Sequence, residues 1–70
     1  MDWTSCEVVE SNTGIMSGVP VIVGTRIPVS AIFENIEGGA TIEEIVEWFP
    51  GINKEQIREI LRFTAKSAAA

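Results

Sequence analysis

The chain has 70 residues, 46% of them hydrophobic, with five Lys or Arg against ten Asp or Glu, one Cys and no His. That composition excludes an intramolecular disulfide, leaves a zinc site short of ligands, and offers no imidazole to activate a serine or cysteine nucleophile. A chain this short buries only about 60% of its unfolded surface, and its mean hydropathy of +0.24 is high for that size, so a homodimer or a protein partner is expected to cover the remainder.

The pattern predicts one domain over residues 1–70, a β-strand and hairpin region over 1–29 and a three-helix unit over 30–68. Cys6 to Val9 reads as a short strand, closed by the polar turn Ser11-Asn12-Thr13-Gly14. After the turn signal Ser17-Gly18, the β-branched run Val19 to Val23 and the segment Arg26 to Val29 read as a hairpin across Gly24-Thr25. Pro20 and Pro28 each remove a ladder donor, which keeps these strands short and at an edge.

Ser30 is the expected N-cap of the first helix, whose apolar stripe is Val29, Ile32, Phe33 and Ile36 and whose stop is Gly38-Gly39. Thr41 with Glu44 forms a capping box for the second helix, striped by Ile42, Ile45, Val46 and Phe49 and ended by Pro50-Gly51. Asn53 with Gln56 opens the third helix, whose expected buried stripe is Ile57, Ile60, Leu61, Thr64 and Ala68. The fold class is therefore mostly α, a three-helix unit of helix-turn-helix type preceded by a short β-hairpin.

Charge divides the chain. Residues 1–53 hold Arg26 as their only base against eight acids, a net −7, while residues 54–70 hold four bases against two acids, a net +2. In the helix-turn-helix outline the second helix of the motif meets the major groove. Lys54, Arg58, Arg62 and Lys66 fall at steps of four, a basic ridge suited to phosphate, and Gln56 is placed to read adenine. The competing reading is a solvated face: bases near a helix C-terminus suit the macrodipole, and Glu55 with Arg58 or Glu59 with Arg62 make i,i+3 pairs. Arg26 either holds the hairpin against a helix carbonyl or a glutamate, or contacts a minor groove or a protein. Trp48, off the stripe of its helix, either caps the core or anchors an interface.

Nothing here reads as a catalytic residue. Glu43 and Glu47 share a helix face, but acids in the first turns of a helix answer to its dipole. No phosphate-binding loop or dinucleotide fingerprint occurs, so no enzyme activity, cofactor or metal is expected. No apolar run approaches a membrane span, and MDWTSCEVVE carries acid where a secretory signal carries base, so a cytoplasmic location is expected.

The segment SGVPVIVGTRIPVSAIFENIEGGATIEEIVEWFPGINKEQIREILRFTA, Ser17 to about Ala65, resembles the domain-of-unknown-function family 433. Its signature is carried by Gly18, Pro20, Ile22, the motif Gly24, Thr25, Arg26, Ile27, Pro28 and Val29, then Thr41 to Ile45 and Phe49-Pro50-Gly51-Ile52. Val23 stands where many relatives have a base. The resemblance implies a homeodomain-like unit behind a small β-element and an antitoxin role, with a PIN-like ribonuclease toxin as partner and operator DNA as a second target. The alternative is a protein–protein interaction module that uses its acidic and apolar surface and binds no DNA.

Overall fold

The computed structural model describes residues 2–69. Its elements in chain order are a one-turn 3-10 helix at Trp3–Ser5, β1 (Val9–Glu10), a short turn at Met16–Gly18, β2 (Val21–Ile22), α1 (Val29–Glu37), α2 (Ile42–Trp48) and α3 (Lys54–Ala69). The three helices behind a two-stranded antiparallel sheet match the fold class read from the sequence.

The strands form differently from the expectation. Cys6 is not in a strand; it caps the first turn and is buried, with its thiol unpaired. β1 pairs with β2 in the register Val9 to Ile22 and Glu10 to Val21. The segment Arg26 to Val29 returns beside β2 only as a single bridge, Val21 to Pro28. Proline is the reason: Pro28 has no N–H to extend the ladder. The flanking bonds run from Ile22 N to Ile27 O and from Val29 N to Pro20 O, both 3.0 Å.

The loop joining β1 to β2 contains a left-handed turn, with φ of 51° at Met16, 57° at Ser17 and 87° at Gly18. Non-glycine residues in this region cost about 1–2 kcal/mol each. The Ser11 hydroxyl donates to the Gly18 carbonyl and ties the turn to its own start.

α1 begins at Val29, one residue before the Ser30 expectation. Pro28, extended at φ −65° and ψ 144°, is its N-cap and makes no side-chain cap bond, since its ring carries no donor or acceptor; its contribution is a fixed φ at the entry to the helix. Its end is a Schellman turn: Gly39 N donates to Ile36 O and Ala40 N to Asn35 O, both 3.0 Å, with Gly39 at φ +97°. α2 opens on the Thr41–Glu44 capping box, and α3 on the reciprocal Asn53–Gln56 pair, each bond 2.9 Å.

The core gathers Val9, Ile22, Val29, Ile32, Ile45, Ile52, Ile57 and Ile60, with Cys6 at its edge. α2 packs against both α1 and α3. On α3, Leu61 and Thr64 are half-buried, but Ala68 is exposed, since the helix outruns the elements it packs on. Trp3 folds back instead of lying free at the terminus: its ring stacks on Phe63 at a centroid distance of 5.1 Å and meets Phe33 at 6.4 Å. Among the described residues, no helix is long and apolar enough to cross a membrane.

Candidate functional site

The segment Gly24 to Val29 is built largely from backbone bonds. Thr25 N donates to Ile22 O at 3.0 Å, and Gly24 sits third in that turn at φ +77°, the glycine position of a type II turn. Glu10 reaches across from β1 to accept from Gly24 N at 2.9 Å. The Thr25 hydroxyl donates to Ile22 O at 2.7 Å and accepts from Ile27 N at 3.0 Å. Ile27 packs on the core, Pro28 caps α1 and Val29 is buried.

Only Arg26 is left over. Its side chain is exposed and, among the described residues, takes part in no hydrogen bond or ion pair. It therefore does not hold the hairpin against a carbonyl or a glutamate. The turn that carries it lies beside the α2–α3 turn, where the Thr25 methyl is 3.9 Å from the position a Cβ would take on Gly51.

On α3 the four bases are exposed, but the ridge is divided. The Arg62 guanidinium is 2.7 Å from Glu59 and 2.6 Å from Glu55. The hydrogen bonds it donates to Glu59 and Glu55 push its pKa further up, so Arg62 stays charged while its field is offset locally. Glu55 thus pairs with Arg62, not with Arg58. Gln56 is half-buried, and its carbonyl oxygen already accepts from Asn53 N. Bidentate reading of adenine needs that oxygen as well as the amide, so the cap competes with base readout. Lys54, Arg58 and Lys66 remain as unpaired cations among the described residues.

The opposite charge collects on α1 and α2. Glu34, Glu37, Glu43 and Glu47 are exposed, Glu44 is half-buried, and no base occurs between Arg26 and Lys54. Trp48 stands at the end of α2 with 53% of its surface open to solvent, which removes the core-capping reading. A separate apolar groove of about 260 Å³ is lined by Trp3, Val19, Pro20, Val29 and Phe33. No local sequence signal marks it, because Trp3 and Phe33 meet only through the tertiary fold.

Residues 9–64 match the family described as Protein of unknown function (DUF433). The chain belongs to the DUF433 family. The matched span runs from β1 through most of α3, so this DUF433 chain carries both the β-turn with Arg26 and the helical unit. It is similar to the uncharacterized protein y4eO of Sinorhizobium fredii, at 36% identity over 52 residues, which are 74% of this chain and 24% of that protein. The chain therefore spans less than a quarter of that relative's length. No solved structure matches it.

Proposed function

We propose that the chain is an antitoxin-like regulatory protein that binds a basic, PIN-like ribonuclease through the acidic face of α1 and α2. The observation that carries this reading is the pairing of five glutamates between residues 34 and 47 with an exposed Trp48. An acidic field steers a cationic partner, and a tryptophan among charges supplies the desolvated anchor that interfaces favour. In this reading the chain performs no catalysis of its own and works by covering the partner's RNA-binding cleft.

The same proposal includes a homodimer in the cytoplasm. The apolar groove at Trp3 and the exposed Met16, Val19 and Val23 support the dimer, and light scattering of the purified chain tests it. Operator DNA is a secondary target, supported by the exposed Lys54, Arg58 and Lys66 on α3. Its own upstream DNA, titrated at about 50 and 200 mM salt, is expected to bind weakly and with steep salt dependence.

Co-expression with the product of the adjacent gene tests the main reading. Recovery of a stoichiometric complex and suppression of that product's toxicity are expected. Neither co-purification nor suppression would end the antitoxin reading.

A further inference from the structure

The Schellman turn that ends α1 borders a shallow recess on the protein surface. Gly38 and Gly39 carry the chain toward α2, and a recess of about 260 Å³ opens there, bordered by Glu34, Glu44 and Trp48. A Cβ on Gly39 would meet nothing within 4 Å, so the recess is open at that wall. Trp48 stands exposed at its edge, although Ile45, one turn earlier on α2, is completely buried. The Glu44 carboxylate uses one oxygen to accept from Thr41 N at 2.9 Å. The Glu34 carbonyl accepts from Gly38 N at 3.0 Å, but the Glu34 carboxylate has no hydrogen-bond or ion-pair partner among the described residues.

We infer that this recess is the seat of an arginine side chain from a basic protein partner. A planar guanidinium stacks on an indole face, and its fork of donors matches carboxylates on either side. Among the described residues neither carboxylate is held in an ion pair, so both are available to an incoming cation. The inference rests on the reading that the α1–α2 face binds a basic protein, and it names one contact on that face.

Trp3 packs on Phe33 and Phe63, so Trp3→Phe leaves Trp48 as the one fluorophore. This variant is titrated with acetyl-tetra-arginine amide, with tetra-lysine and tetra-glutamine peptides beside it, after circular dichroism establishes that each variant is folded. The arginine peptide is expected to change Trp48 emission saturably at about 50 mM salt and more weakly at 200 mM. Lysine should bind less tightly and glutamine not at all. Trp48→Leu in the natural Trp3 background, followed by calorimetry, should weaken binding by roughly 3- to 30-fold, the range of a cation–π contact; Glu34→Gln should weaken it as well.

No saturable change, or equal affinity in Trp48→Leu and the unsubstituted chain, would overturn the inference, since diffuse charge would then suffice. A complex with the adjacent-gene product that survives both substitutions would also overturn it while leaving the proposed function in place. Peptide binding at the recess with no protein partner recovered would support the recess and count against the antitoxin reading.

Discussion

Arg62 reaches Glu55 at 2.6 Å across two full turns of α3. The contact joins residues seven apart, so it needs the helix to be formed and both side chains extended along it. Glu59 closes the same guanidinium from the nearer side at 2.7 Å. A ridge of four bases therefore presents three free ones to an approaching polyanion. Glu55→Gln with Glu59→Gln should release Arg62, and any DNA affinity should then gain about 0.9 in the slope of log K against log salt, the increment for one more phosphate contact. Anisotropy of a labelled duplex across a salt series measures this. An unchanged slope would show that the carboxylates do not mask Arg62.

Three neighbouring residues in the turn after β2 should behave in three ways. Gly24→Ala forces a side chain into φ +77° and should cost about 1–2 kcal/mol. Thr25→Val strips a hydroxyl that serves two backbone groups and should cost about 1–3 kcal/mol. Arg26→Ala removes no side-chain hydrogen bond or ion pair among the described residues and should stay within about 0.5 kcal/mol. Urea unfolding followed by circular dichroism separates them. Were Arg26→Ala as damaging as Thr25→Val, Arg26 would have an internal partner.

Ile45 is the only fully buried residue of α2. Ile45→Ala should cost about 2–5 kcal/mol, against a total stability of about 3.5–10 kcal/mol for a chain of this size. A large part of the population should then be unfolded at 37 °C by thermal melting. Retention of a cooperative native melt would mean that α2 contributes little to the core.

At the N-terminal turn, the Asp2 carboxylate accepts from Thr4 N at 3.0 Å and from the Thr4 hydroxyl at 2.7 Å. Those bonds hold its pKa below the ordinary aspartate value. A depressed carboxylate contributes stability above its unfolded pKa and loses it as pH falls through the lower folded value. Acid should therefore release this turn only as pH falls through that lowered value. Side-chain NMR titration should give Asp2 a midpoint below the ordinary aspartate value; a midpoint at or above that value would contradict the capped geometry.

The helices were legible because their signals are local. Thr41 with Glu44 and Asn53 with Gln56 lie one turn apart in sequence, and the Gly38-Gly39 stop needs only its own backbone. The start of α1 was misread at Ser30 because an extended Pro28 orients the first turn without any side-chain bond. The β1–β2 pairing was missed because Val9 and Ile22 are brought together across a long loop with an unusual left-handed turn. Trp3 on Phe63 is less local still, since the two residues lie at opposite ends of the chain. In the candidate site, the basic positions on α3 could be named from spacing. The pairing of Arg62 with Glu59 could be named from spacing as well; the choice of Arg62 over Arg58 as the partner of Glu55 could not, because it depends on rotamers. The recess at Trp48 was hidden for the same kind of reason: a hollow is made by how α1 and α2 meet, and a glycine pair in sequence signals only the turn.

The most direct measurement is a pull-down of the adjacent-gene product with three forms of the chain: unsubstituted, Glu43→Lys/Glu47→Lys, and Arg58→Ala/Arg62→Ala. All four substituted positions, Glu43, Glu47, Arg58 and Arg62, are exposed, so folding should be preserved in each form. The expected result is a complex with the unsubstituted chain and with the α3 variant, and loss of it when the α2 charges are reversed. A complex that persists after charge reversal, or that disappears only in the α3 variant, would contradict binding through the acidic face.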